Sequence, residues 1–263
     1  MIVRSKMVIA DDEEVLPRVS ASLVAPPIVP PAIAPLRILQ LEAHANTRLP
    51  FLMDPAGLAV EQFKLLRGRL NARAPGGGIL VVTSPAPGDG KTLISINLAW
   101  SLAQGGFRTC LVDLDFRAPG VTRTLDLATD DGGTEEVLTG RKTLAQTLFQ
   151  IGDRPFHVLG IRERVEEPSH LYAPANLTPL LSALSASYRW VILDLAPAVP
   201  MSDVSDILPQ ADGALMVVRS GKTEKAFMPP MLEILGKKVW GVVLNDTPVL
   251  GSAYYGSYGK HYR

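Results

Sequence analysis

Apolar residues along the chain fall into two spacings. Short, largely apolar runs at residues 79–82, 109–114, 156–159, 190–193, 213–218 and 239–244 read as strands, and the continuously apolar 190–193 as one buried on both faces. Between and before them, residues 55–73, 93–103, 177–186, 204–208 and 225–235 carry apolar side chains at helical spacing. The first of these helices puts Val60, Phe63, Leu66 and Leu70 on one side. Glu61, Lys64 and Arg67 recur on neighbouring turns of another, which makes that side a candidate subunit contact. Thr134 is placed to cap a short helix within 131–140. Residues 162–176 read as a polar loop with no assigned role, and His170 as a loop residue within it. Repeated strand-helix units predict an α/β fold, a mostly parallel sheet with helices on both faces.

The chemistry concentrates where the first strand meets its helix, in the sequence SPAPGDGKT. A loop of this kind aims backbone N–H groups and a helix N-terminus at a polyphosphate, with Lys91 adding charge near the β and γ phosphates and the Thr92 hydroxyl reaching Mg²⁺. Pro87, Gly88, Asp89, Gly90, Lys91 and Thr92 are thus nucleotide-binding candidates, and the fold class is a P-loop NTPase. Pro85 stands where the usual motif opens on glycine, so the assignment leans on context. That context includes acids at the ends of two later strands. Asp113 and Asp115 are two residues apart on a strand and therefore share a face. At the C-terminal edge of a parallel sheet such a face meets the ligand crevice, where one acid can orient Mg²⁺ and another accept a proton from an attacking hydroxyl. Asp194 ends a later strand and reads as a second metal-site acid acting through a water. The catalytic set is Lys91, Asp113, Asp115 and Asp194; the metal set is Thr92, Asp113 and Asp194.

Composition narrows the setting. Of 263 residues, 47% are apolar, enough for one domain of roughly 200 residues with extra segments. The 26 basic and 26 acidic residues cancel, so global charge gives no sign of a nucleic-acid or membrane-surface binder. A single cysteine, Cys110, excludes an internal disulfide, fits a reducing cytosol and reads as a buried core residue. Residues 1–50 differ from the rest. Asp11 to Glu14 interrupt any signal-peptide order, and five prolines between Pro26 and Pro35 forbid a membrane-spanning helix. The segment is expected to be extended, polyproline-like and disordered. No other run approaches the ~20 apolar residues of a span, so any membrane contact is expected through a partner. Residues 51–248 form the expected catalytic domain, with its oligomerisation helix at 55–73. Residues 249–263 form a flexible tail holding four of the six tyrosines, Tyr254, Tyr255, Tyr258 and Tyr262. Hydroxyls on a flexible tail beside a phosphate site suggest phosphoacceptors, whose modification would make the tail anionic.

From about residue 55 onward the chain resembles the bacterial tyrosine kinases (BY-kinases) of capsule and exopolysaccharide synthesis, P-loop ATPases unrelated in fold to eukaryotic protein kinases. PAPGDGKT is similar to the family's first nucleotide motif, in which the leading glycine is often missing. LVDLDFR matches the second, an apolar run followed by Asp-x-Asp-x-Arg, and adds Arg117 to the nucleotide set. VILDLAP resembles the third, with Asp194 as its acid. EQFKLLR resembles the ring-forming Glu-x-x-Arg-x-x-Arg helix, with Lys64 for the first arginine, and VVLND the strand end whose asparagine, here Asn245, contacts adenine. Two departures stand out. Leu195, Ala196 and Pro197 replace Thr-Pro-Pro, which removes a hydroxyl, and Lys64 loses the bidentate carboxylate recognition of arginine.

The resemblance implies a cytoplasmic kinase, recruited to the inner face of the cell membrane by a partner, that uses ATP and Mg²⁺ to phosphorylate tail tyrosines of neighbouring subunits. It further implies a homo-oligomeric ring, other protein substrates, a membrane polysaccharide-copolymerase-type adaptor as activator, a phosphotyrosine phosphatase as counterpart, and no nucleic-acid partner. Two rival readings remain at this level. One is a non-kinase ATPase switch of the partition and division-site type, which carries a second loop lysine where this chain has Ala86. The other is a degenerate nucleotide-binding scaffold, supported by Leu195.

Overall fold

Strands that are apolar without interruption need cover on both faces, and the chain supplies it. The computed structural model describes residues 37–42, 48–129, 131–199 and 203–247. In chain order the described strands are β1 (Arg37–Leu39), β2 (Gly78–Thr83), β3 (Thr109–Asp113), β4 (Phe149–Ile151), β5 (Phe156–Leu159), β6 (Trp190–Asp194), β7 (Gly213–Arg219) and β8 (Val239–Asn245). They form one sheet in the order β1-β4-β5-β3-β6-β2-β7-β8. The six strands from β5 to β8 in that order are mutually parallel, whereas β4 runs antiparallel to β5 and carries β1 alongside it. The described helices are α1 (Pro50–Met53), α2 (Leu58–Arg73), α3 (Lys91–Gln104), α4 (Val121–Leu125), α5 (Thr134–Leu138), α6 (Leu144–Thr147), α7 (Pro174–Ser187), α8 (Asp203–Ile207) and α9 (Met228–Leu235).

Alternation along each strand divides the core in two. Leu80, Val82, Trp190 and Ile192 point to the face covered by α2 and α3, where they meet Phe63, Leu66, Ile94 and Leu98. Ile79, Val81, Val191 and Leu193 point to the other face, against Leu181 and Leu184 of α7, Ile207 of α8 and Met231 of α9. Cys110 is buried on this second face, as its place in an apolar run predicts. On α2 the predicted apolar stripe is the buried one. Its charges face elsewhere: Glu61 pairs with Lys64 at 2.7 Å, while Arg67 donates to the Ser101 carbonyl of α3 at 2.6 Å.

Several expectations move. The N-terminal segment expected to be disordered through residue 50 contributes β1, because the prolines end at Pro35 and nothing beyond them blocks a ladder. Arg37 anchors the strand by an ion pair with Asp131. Helix α2 begins at Leu58 rather than at residue 55, since the chain first closes a turn from Asp54 to Gly57. Thr134 is the first helical residue of α5, not its cap: Gly133 precedes it and gives its N–H to Glu136 at 2.8 Å, and the Thr134 hydroxyl bonds the Gly160 carbonyl at 3.1 Å. Strand β3 stops at Asp113, so Asp115 lies beyond the strand on which both acids were placed. Within the unassigned 162–176 loop, Tyr172 is buried and donates its hydroxyl to the Leu114 carbonyl at 2.9 Å. The tail with its four tyrosines lies outside the described residues, as do residues 1–36. Among the described residues no helix is long and apolar enough to cross a membrane.

His157 on β5 is 5% exposed, meets the Tyr188 ring edge-on at 5.3 Å between centroids, and has an Nδ1 without a hydrogen-bond partner in the protein. Burial, aided by the charge of Arg108, pushes its pKa down to about 4. A histidine held neutral by folding contributes stability above its unfolded pKa of about 6.5, and that contribution is lost as pH falls from there toward the folded value. Between pH 7 and pH 5 the wild type should lose about 2 kcal/mol of unfolding free energy to this group, and His157→Leu should flatten the profile by that amount. Urea unfolding at the two pH values measures it; equal pH slopes for both proteins would dismiss the role.

Candidate functional site

Strand β2 ends at Thr83 and α3 opens at Lys91, so residues 84–90 form a loop at the C-terminal edge of the sheet. Gly88 and Gly90 take the left-handed backbone at φ +82° and +97°, and a Cβ on Gly90 would lie 2.1 Å from the Asn245 amide nitrogen. The loop is held from behind. Asp89 is 3% exposed, and its carboxylate accepts the Ala86 N–H at 3.1 Å and the Thr223 hydroxyl at 2.7 Å. Its carbonyl accepts the Asn245 Nδ2 at 2.8 Å. This turns a negative side chain inward within a loop whose N–H groups suit an anion. Asn245 itself is 1% exposed and uses its Oδ1 to accept the Asp246 N–H at 2.9 Å, so in this structure it braces the loop.

The first turn of α3 delivers the reactive side chains. Lys91 Nζ sits 2.7 Å from Asp115 Oδ2. Thr92 and Ser95 donate their hydroxyls to the two oxygens of Asp194, at 2.7 and 2.9 Å. Parallel register sets Asp113 directly across from Asp194, and Val82 on the other side of it, so three strand ends meet at one level. Asp113 accepts N–H groups from Asp115 at 3.0 Å, Gly120 at 3.2 Å and Val121 at 3.0 Å. Its two oxygens thereby organise the turn into α4. Arg117, expected at the nucleotide, reaches Asp203 at 3.1 Å and the Glu166 carbonyl at 2.7 Å from the cavity wall.

Burial raises the pKa of Asp113 and of Asp194, with carboxylate neighbours adding to it; backbone N–H groups oppose the shift at Asp113, and Lys91 with two hydroxyls at Asp194. Burial also works against charged Lys91, but Asp194 and Asp115 outweigh it and hold its pKa above the ordinary value. Three carboxylates around one ammonium leave the cluster short of positive charge, a setting that suits a divalent cation. Mg²⁺ takes one or two protein ligands and completes its shell with waters and phosphates, so the Thr92 hydroxyl with Asp194 behind it fits such an ion.

A cavity of about 690 Å³ opens over this cluster, floored by Gly88, Gly90, Lys91 and Thr92. Asp115 is the acid that lines it; Asp113 and Asp194 lie behind. Arg48 and Arg123 also border it. Leu195, where the resemblance expects threonine, is fully buried, and Thr83 sends its hydroxyl to the Ala196 carbonyl at 2.7 Å. Sequence reasoning missed Ser95, although a hydroxyl one turn along from Thr92 on a helix was a readable signal. It also missed Thr223 and Arg48, for which no local signal exists.

Residues 80–247 match the model of the CobQ/CobB/MinD/ParA nucleotide binding domain. The tyrosine-protein kinase CpsD of Streptococcus pneumoniae serotype 4 (strain TIGR4) is 30% identical over 182 residues, covering 67% of this chain and 79% of the relative. The succinoglycan biosynthesis transport protein ExoP of Rhizobium meliloti (strain 1021) is 30% identical over 203 residues, 70% of this chain but 25% of that longer protein. The kinase domain of the Escherichia coli tyrosine kinase ETK superposes with a TM-score of 0.69 at 28% identity, covering 80% of this chain and 85% of that one.

Thr223→Val keeps the shape of the side chain but removes the hydroxyl from Asp89, leaving a buried carboxylate oxygen short of a donor. Nucleotide affinity should fall about tenfold, read by titration with a fluorescent ATP analogue. Unchanged affinity would show that the loop does not depend on this brace.

Proposed function

The chain belongs to the CobQ/CobB/MinD/ParA nucleotide-binding domain family and, within it, to the bacterial tyrosine kinases, and on that footing we propose how its residues divide the work. It is a protein-tyrosine kinase of capsule and exopolysaccharide synthesis. The observation that carries the mechanism is the 2.7 Å contact between Lys91 and Asp115 on the cavity floor, with the Thr92–Asp194 pair beside it.

In this reading the loop N–H groups and the N-terminus of α3 hold the phosphates of ATP. Lys91 turns part of its hydrogen bonding from Asp115 to the γ-phosphoryl, where charge spreads in the transition state. Asp115, in the cavity lining and released when Lys91 turns, takes the proton from an incoming tyrosine hydroxyl as the phosphoryl passes to that oxygen and ADP departs. Thr92, with Asp194 behind it, would hold Mg²⁺, which would supply charge neutralisation at the phosphates. Asp113 fixes the turn that carries Asp115 and, across the strand register from Asp194, would help hold Mg²⁺. Arg117 anchors the same turn to α8. Asn245, Asp89 and Thr223 shape the loop from behind.

Tyr254, Tyr255, Tyr258 and Tyr262 are the acceptors, presented by one copy to the site of another. Glu61, Lys64 and Arg67 of α2 form the contact between copies in a ring, and phosphate added to the tails loosens it by repulsion. A membrane adaptor of the polysaccharide-copolymerase type recruits and activates the kinase, other proteins serve as substrates, and a phosphotyrosine phosphatase reverses the modification. Ala86, where switch ATPases place a second lysine, speaks against the partition-type reading.

Lys91→Met should abolish phosphotyrosine formation in purified protein given Mg-ATP, by mass spectrometry; persistence of the signal would refute the mechanism. With Tyr254, Tyr255, Tyr258 and Tyr262 all changed to Phe, most of that signal should vanish while ATP still binds, and an unaltered phosphorylation map would move the acceptors elsewhere. Glu61→Ala should shift the assembly toward monomer in light scattering, whereas an unchanged mass would return α2 to an ordinary solvated face.

A further inference from the structure

Five basic side chains line the cavity, Arg48, Lys91, Arg117, Arg123 and Arg219, against a single carboxylate, Asp115. Three of the five are ion-paired. Lys91 is 2.7 Å from Asp115, Arg117 3.1 Å from Asp203 and Arg219 2.9 Å from Asp246. Arg48 and Arg123 are exposed, and neither forms an ion pair with a carboxylate among the described residues. They come from one side of the cleft. Arg123 lies in α4, whose leading Gly120 packs so closely on Thr92 that a Cβ there would sit 2.8 Å from its hydroxyl. Arg48 precedes Leu49, which with Leu52 shares a smaller cavity with Thr124 and Leu125 of α4. Arg219 stands at the opposite end of the loop, 3.5 Å from the Gly88 carbonyl. Among the described residues the cleft therefore has a cationic rim at Arg48 and Arg123 that no carboxylate pairs with.

Resting on the kinase assignment, we propose that Arg48 and Arg123 form a second anion subsite that binds a phosphotyrosine already made on the tail of a second copy of this chain. The modified tyrosine holds that tail in the cleft while a neighbouring tyrosine enters at Asp115, and repulsion loosens the ring only once the whole cluster carries phosphate. The tail's own sequence points to this occupant. Residues 251–263 contain Tyr254, Tyr255, Tyr258 and Tyr262 together with Lys260 and Arg263, and no Asp or Glu. Unmodified, such a segment is repelled by two arginines; each phosphate added supplies a dianion whose oxygens suit a guanidinium fork. Subsequent phosphorylations on one tail are then faster than the first, and modification of a cluster proceeds toward completion once begun.

The test uses the full chain with bound Mg-ADP and fluorescent peptides of residues 252–263, unmodified or phosphorylated at Tyr258, followed by anisotropy. Wild type should bind the phosphopeptide about tenfold more tightly than the unmodified one, and Arg48→Ala/Arg123→Ala should bind both alike. Arg48→Lys/Arg123→Lys should keep part of the preference. Equal binding of the two peptides by wild type, or a preference that survives in the alanine variant, overturns the subsite. Loss of Mg-ADP binding with the preference intact also overturns it, since the arginines would then serve the nucleotide. Competition by inorganic phosphate as strong as by phosphopeptide overturns the tail as occupant. Binding is read without turnover, so a failed kinase assignment shows separately, as no phosphate transfer from Mg-ATP to any tyrosine of the unmodified peptide.

Discussion

A carboxylate taken fully out of water persists only where donors converge on it. This chain sets two of them, Asp113 and Asp194, opposite each other on adjacent strands. Much of the site's construction follows from satisfying that pair. Parallel pairing brings the ends of β2, β3 and β6 to one level. The helix after β2 can then reach Asp194 with Thr92 and Ser95, while the backbone after β3 folds over Asp113. The acid left facing the cavity is Asp115, and it is there because Asp113 holds the turn beneath it. Electrostatic cost at the floor and chemical competence at the surface are two sides of one arrangement.

Helix α3 links this floor to the outer surface. Its N-terminus is the nucleotide end, and near its C-terminus the Ser101 carbonyl accepts the Arg67 guanidinium from α2. A cation there complements the helix dipole as the phosphates do at the other end. Of the three charged residues read from sequence as a subunit contact, one is thus already tied into the protein's own fold, and Glu61 with Lys64 form an exposed pair beside the protruding Leu65.

The parallel strands and most helices were legible because the apolar runs are long and the helical stripes regular. The phosphate loop was legible from five residues and its neighbours. What the sequence concealed has a common character. Strands β1 and β4 are three residues each, too short for any period to show; β4 is held by its antiparallel pairing with β5, and β1 by pairing with β4. Asp113 and Asp115 looked equivalent in sequence. They separate only when the strand ends between them and one side chain turns to the backbone. Thr223 reaches its loop partner Asp89 from 134 positions away, and Arg48 borders the cavity from about 40 positions before the loop, which no local pattern encodes. Asn245 was read as a base contact, and in the structure its amide is spent on the loop and on its own neighbour.

One edge of the sheet ends in β1, a three-residue strand running against the main direction, with Arg37 clamped to Asp131 and Ile38 59% exposed. A long parallel edge would offer a row of unpaired backbone groups to any other copy held close by, and strand-to-strand growth has no natural stopping point. Here that ladder is closed off by a stub too short to template another. Copies of the chain held close together therefore need not grow into fibres from this edge.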